Sequence, residues 1–198
     1  MQSSSQKIAL VTGANKGIGF EVARQLAASG CTVLVGARNQ ALGKEAAARL
    51  AAQSLDARYI AIDLTDPATI ADAARSIATD FGLLDILVNN AAIVAPGDGP
   101  PTATSLEAIE ETLRVNFIGS VAVTQAMLPL LRNARSARIV NVSSGLGSLT
   151  QNSDPAYPYA AFKYLGYSAS KAALNMLTVQ LAYELRGTAI KVNSSDPG

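Results

Sequence analysis

The chain has 198 residues, 49% of them hydrophobic and 16% charged, with a formal net charge of +1, one cysteine (Cys31) and no histidine. These counts exclude a Ser-His-Asp or Cys-His nucleophile pair, a histidine-ligated metal, an intrachain disulfide and any CxxC site. The near-neutral charge argues against nucleic acid as a partner, and no apolar run approaches the roughly 18 residues of a membrane span, so one cytoplasmic domain over 1–198 is expected, with no metal and no membrane.

The first predicted strand, 7–12 (KIALVT), runs directly into Thr12-Gly13-Ala14-Asn15-Lys16-Gly17-Ile18-Gly19, and a helix is predicted over 17–29, stopped by Gly30. Gly13 suits a tight strand-to-helix turn, and Gly17 and Gly19 allow close approach of backbone and ligand. The helix N-terminus offers N–H groups to a pyrophosphate, so a dinucleotide site is expected. The second strand, 31–36 (CTVLVG), is followed by Gly36-Ala37-Arg38, and no acid occurs between Glu21 and Glu45. A site for the non-phosphorylated cofactor usually has an acid there to bond the ribose 2′-hydroxyl. Arg38 and Lys16 suit a 2′-phosphate, and NADP(H) is expected rather than NAD(H).

A helix over 40–53, a strand over 58–62 (RYIAI) and a helix over 67–80, entered through Asp66-Pro67, come next. The fourth strand is 84–89 (LDILVN); the run Pro96-Gly97-Asp98-Gly99-Pro100-Pro101 reads as a loop before a long helix over 105–132, capped by Ser105. A strand over 138–143 (RIVNVS), a helix over 167–186 and a strand over 189–194 (AIKVNS) complete the chain. Alternating strands and helices, the strands apolar without alternation, predict an α/β fold: a doubly wound parallel sheet with helices on both faces and ligands beyond the strands' carboxyl ends.

Tyr167 and Lys171, four apart on the last helix, share one face. An ammonium beside a phenol is expected to lower the phenol's pKa, giving an acid/base without histidine. Tyr159 and Lys163 have the same spacing, but Pro155, Pro158 and Gly166 around them favour a loop, and Tyr167–Lys171 is preferred.

Together these residues resemble the short-chain dehydrogenase/reductase family, and most closely its carbonyl-reductase-like branch, over essentially the whole chain. Thr12-Gly13-x-x-x-Gly17-x-Gly19 looks like the family's cofactor loop, and Asp63, with Leu64 beside it, like the acid that meets the adenine. Asn89-Asn90-Ala91 resembles the motif closing the fourth strand, with Ala92 where the family usually has glycine, a methyl group added beside the cofactor. Asn116, Ser144, Tyr167 and Lys171 match the catalytic set, and Pro197-Gly198 the motif that introduces a substrate-covering loop. The resemblance implies a Rossmann-like sheet in the order 3-2-1-4-5-6, ending in a sixth strand with an apolar uncovered edge, the family's last strand missing and the domain truncated at its C-terminus. It also implies NADP(H)-dependent reduction of a small-molecule carbonyl to an alcohol. Tyr167 would donate the proton, Ser144 would polarise the oxygen, Lys171 would hold the ribose and Asn116 would place a water. Helices 113–131 and 169–185, apolar nearly all round, fit a homodimer or homotetramer. A non-catalytic NADPH-binding sensor or scaffold, and an epimerase or dehydratase on the same fold, are the alternative readings.

Overall fold

The computed structural model describes residues 6–198. Six parallel strands form one sheet in the order β3-β2-β1-β4-β5-β6. They are β1 (Ile8–Thr12), β2 (Thr32–Ala37), β3 (Ala57–Ala61), β4 (Ile86–Asn89), β5 (Arg138–Val142) and β6 (Lys191–Ser195). The crossovers carry α1 (Gly17–Ala28), α2 (Gln40–Ala51), α3 (Pro67–Asp80), α4 (Leu106–Leu113), α5 (Ser120–Asn133), a short α6 (Leu149–Ser153) and α7 (Leu165–Glu184). Each predicted strand and helix is present, displaced by a few residues at its ends.

The strand period of two sorts the core into two layers. In β1, Ile8 and Leu10 face a cluster built by α3, α5 and α7, which includes Ile70, Ile77, Met127, Leu131 and Leu181. Ala9 and Val11 face the other side, against Ala23 and Ala27 of α1 and Ala46 and Leu50 of α2. Register makes one continuous apolar row across the sheet, Leu34–Leu10–Leu87–Ile139–Val192. Two residues further along each strand, at the carboxyl end, the row Asn89–Asn141–Ser194 is polar. Asn89 donates to Thr124 Oγ1 and Asn141 Oδ1, both at 2.9 Å, and Asn141 to Thr178 Oγ1 at 2.8 Å. The sheet thus changes from hydrocarbon to hydrogen-bonded amide directly beneath the candidate site.

Two N-caps form as expected: Asp66 accepts from Ala68 N with Pro67 at the first helical position, and Ser105 accepts from Ala108 N. Three differences bear on function. The single helix expected over 105–132 is α4 and α5 joined by a π-helical turn, Arg114–Gly119. This continuous helix, Leu106–Asn133, is long and apolar enough to cross a membrane by length and composition alone. No uninterrupted apolar run hinted at that; its Val123, Met127 and Leu131 are buried in the core against the sheet, so it is a core helix. Finally, β6 is an end strand as expected, but its edge is not apolar: Lys191, Asn193, Ser194 and Ser195 are exposed and only Val192 is buried. Polar residues and a lysine on an edge discourage strand-to-strand association.

Candidate active site

The carboxyl ends of β1, β2 and β4 build one half of the site. Gly13 leaves β1 with φ +64°, and a Cβ there would lie 2.8 Å from Ala91 Cα. Asn90 Nδ2 donates to the carbonyls of Thr12 (2.9 Å) and Gly13 (3.3 Å), while the N–H groups of Asn90 and Ala91 donate to Thr12 Oγ1 (3.0 and 3.1 Å). The glycine loop is therefore stitched to the end of β4 by the protein itself. Gly19 is demanded by this stitching, since a Cβ would sit 2.3 Å from Asn90 Nδ2 and 2.6 Å from the Gly13 carbonyl oxygen. Gly17 differs: it is exposed, with φ +58°, and a Cβ would meet nothing within 4 Å. No side chain caps α1, so its first N–H groups open onto that free side of the loop, as a phosphate-binding helix terminus requires.

Lys16 at the N-cap of α1 and Arg38 just past β2 are both exposed, with Asn15 partly buried and Ile18 half exposed between the glycines. Asp63 follows β3, its Oδ1 accepting from Thr65 N (2.9 Å) and Thr65 Oγ1 (2.7 Å) in a turn. Leu64 is buried against the π turn, where a Cβ on Gly119 would lie 2.6 Å from Leu64 Cβ. Ala92 is exposed, so its methyl group does not press on the loop. Pro197 and Gly198 are exposed beyond β6, preceded by Asp196.

The second half comes from the π turn, the end of β5 and α7. Asn116 is buried, and its amide makes three hydrogen bonds: Oδ1 accepts from Ile93 N (2.8 Å), and Nδ2 donates to Ile93 O (2.9 Å) and Ser170 Oγ (3.0 Å). Both amide hydrogens are taken, and Oδ1, which accepts one bond, keeps a lone pair toward which the water assigned to it by resemblance could donate. Ser144 ends the fifth strand's run and accepts from Leu146 N at 3.2 Å, starting the short turn Gly145–Gly147. Tyr167 stands in the first turn of α7. Lys171, one turn on, is 3% exposed, with Nζ 5.6 Å from the Tyr167 ring centroid and donating to Val142 O at 2.6 Å. Tyr159 lies in a turn and Lys163 in irregular chain ahead of α7, neither on a helix.

The electrostatics run against one expectation. Burial pushes the Tyr167 phenol above its ordinary value, and the negative charge of Asp196 adds to this, while interaction with the Ser144 side chain opposes it. Burial also draws the Lys171 ammonium down from 10.5 to about 8. Helical spacing shows that a cation is near the phenol but not that both are taken out of water, and burial is the largest cause of both shifts. Among the described residues Lys171 meets one acceptor, the Val142 carbonyl, so two of its three N–H donors remain for a ligand.

The two halves meet at the carboxyl edge of the sheet, where folds of this type take a dinucleotide. The family model for short chain dehydrogenases matches residues 7–198, and the chain belongs to that family of oxidoreductases, which use a nicotinamide cofactor. It is 37% identical over 204 residues to short-chain dehydrogenase anuI of Penicillium roqueforti, covering 100% of this chain and 80% of that protein. It is 35% identical to (+)-neomenthol dehydrogenase of Capsicum annuum, but spans only 59% of that protein's length, matched by 75% of its own. Among solved structures, gluconate 5-dehydrogenase from Burkholderia cenocepacia, in complex with NADP and tartrate, superposes with a TM-score of 0.83 at 28% identity. That match covers 95% of this chain and 69% of the other. The residues present fit such a cofactor: an uncapped helix terminus beside an open glycine, and a buried ammonium with donors to spare.

Two contributors to this arrangement carry no sequence signal. Ser170, fully buried, donates to Tyr167 O at 2.7 Å while accepting from Asn116. Asp98, in the loop after β4, accepts from the N–H groups of Gly166 and Tyr167, both at 2.8 Å. It is 68 residues from Gly166, beyond any local pattern.

Proposed function

We propose that this chain is an NADP(H)-dependent carbonyl reductase, converting a small aldehyde or ketone to an alcohol. The observation that carries the reading is the convergence of Ser144, Tyr167 and Lys171 beside a glycine loop whose open side is free for a pyrophosphate. The chemistry a bound nicotinamide supplies there is hydride transfer; Gly13, Asn15, Lys16, Gly17, Ile18 and Gly19 would hold its phosphates, Asp63, Leu64, Asn90 and Ala91 would flank the rest, and Pro197 and Gly198 would close over it. Lys171 Nζ would spend its free donors on the ribose hydroxyls, and Arg38 with Lys16 would take the 2′-phosphate. The Tyr167 hydroxyl gives its proton to the substrate oxygen, which the Ser144 hydroxyl hydrogen-bonds.

Oxidation of NADPH over a panel of aldehydes and ketones tests this, with Tyr167→Phe beside the parent. The expected loss in the variant is about a hundredfold or more in kcat with cofactor affinity kept, and equal rates would refute the assignment.

The cytoplasm is its proposed location, supported by a lone, buried thiol at Cys31. A homodimer is proposed on a separate observation. Met176, Val179 and Tyr183, spaced 3 and 4 apart on α7, are 58%, 65% and 66% exposed, and they form one apolar stripe with Ala169 and Ala172. Ile118 on the π turn and Leu106 on α4 are also exposed, at 58% and 72%.

A further inference from the structure

We infer that Asp98 is a positioning residue for the Tyr167 hydroxyl; the inference rests on the reading of Tyr167 as proton donor. A helix begins with four N–H groups that have no partner within it, and a Ser, Thr, Asp or Asn at the N-cap usually satisfies one. In α7 the N-cap is Tyr164, which supplies no side-chain acceptor. The acceptors come instead from the loop after β4. Leu165 N donates to Gly99 O at 2.9 Å, and Gly166 N and Tyr167 N each donate to one oxygen of the Asp98 carboxylate at 2.8 Å. The next N–H, that of Ser168, is already intrahelical, to Tyr164 O. The N–H groups of residues 165, 166 and 167, the first three of the helix, are thus all taken by residues 98 and 99.

The loop that supplies them is itself fixed. Asp98 N donates to Ala95 O, Ser105 N to Gly97 O, and Gly99 exchanges hydrogen bonds with Thr104, its N–H donating to Oγ1 at 2.9 Å and its carbonyl accepting from it. At its start, Ile93 is held at both backbone groups by the Asn116 amide. Asn116 reaches Ser170, and Ser170 donates to Tyr167 O. The circuit therefore closes: Asp98 holds the Tyr167 N–H and Ser170 holds its carbonyl, and both trace back to one loop segment. Gly166 leaves the space the carboxylate needs, since a Cβ there would lie 3.1 Å from Asp98 Oδ2 and 3.3 Å from Ile109 Cα. The carboxylate also places a negative charge at the positive end of α7, an arrangement that stabilises the first turn.

Asp98 acts through the backbone of Tyr167 rather than on substrate, so its removal shifts the phenol instead of deleting it. A misplacement of about 1 Å in a reacting group costs on the order of a hundredfold. In the full chain, Asp98→Ala is expected to lower kcat at least about tenfold while leaving NADPH affinity and cooperative melting in place. Asp98→Asn, which keeps one acceptor oxygen, recovers part of the loss and carries the same test if Asp98→Ala does not fold. The decisive measurement is the double variant: with Tyr167→Phe there is no hydroxyl to misplace, and Asp98→Ala then costs less than about twofold more. A kcat for Asp98→Ala within about twofold of the parent overturns the inference, as does an equal Asp98→Ala loss in both backgrounds, which marks a merely structural role. Full activity of Tyr167→Phe alone overturns the donor reading, and the positioning role with it.

Discussion

Lys171 makes the stability of the cofactor-free protein depend on pH in a way that can be worked from its burial. The ammonium is 3% exposed and titrates at about 8 in the folded chain, against 10.5 when solvated. A base with a depressed folded pKa binds more protons unfolded than folded between those two values, so stability rises with pH across that window. Below about pH 8 the full penalty is present, about 3 kcal/mol at 1.36 kcal/mol per unit. By about pH 9 somewhat less than half of it has gone, and most is gone by about pH 10. Lys171→Met keeps the chain's girth and removes the titration. Urea unfolding of parent and variant, followed from about pH 7 to about pH 10, isolates the Lys171 contribution as the difference between them, because other titrating groups cancel. The parent should gain on the variant by about 2–3 kcal/mol over that range. A flat difference, or one that moves in the opposite sense, would refute the claim that the ammonium is desolvated in the free protein.

Three further outcomes are expected. Gly19→Ala drives a Cβ into Asn90 Nδ2 and the Gly13 carbonyl, of which the latter is backbone and cannot swing away; it should lower stability by about 1–3 kcal/mol and abolish NADPH binding, read by thermal melting and by nucleotide fluorescence. Arg38→Asp replaces a phosphate partner with the acid used for a 2′-hydroxyl, and the ratio of NADPH to NADH efficiency should fall at least about tenfold, the worth of one charge-assisted hydrogen bond. Met176→Glu with Val179→Glu puts two charges on the exposed stripe of α7, and sedimentation should shift from dimer to monomer with the fold retained; an unchanged species would remove that stripe as the interface.

The legible parts of the sequence are those set by local rules. Parallel strands buried on both faces read as continuous aliphatic runs, and Leu10, Leu87 and Ile139 lie at the heart of the sheet for that reason. Gly13, Gly17 and Gly19 declare a strand-to-helix turn because each solves a backbone problem within a few residues. What stayed hidden depends on partners far away. The π turn at Arg114–Gly119 has no sequence pattern of its own, and a period of 3.6 runs through it as one helix. Asp98 sits among breakers and looks like loop polarity until the fold brings it to α7. The direction of the Tyr167 pKa shift follows from burial, which the spacing of Tyr167 and Lys171 cannot express.

The choice of asparagine at position 116 connects these hidden features. The site needs one acceptor for Ile93 N and two donors, for Ile93 O and Ser170 Oγ, all within 3.0 Å and all in a buried space. A leucine of similar size would strand the Ile93 N–H and carbonyl, and an aspartate would offer acceptors where two donors are required while burying a charge. A glutamine has the right groups one methylene too far out. An ordinary α-helical turn would carry the side chain past this position in a different phase; the wider π turn, packed so closely on Leu64 that only Gly119 fits, sets it here. The energetic interest of that turn is therefore local and specific. It exchanges the regular helix bonding of six residues for an amide that joins the β4 loop to α7, and so fixes the helix on which Tyr167 and Lys171 stand.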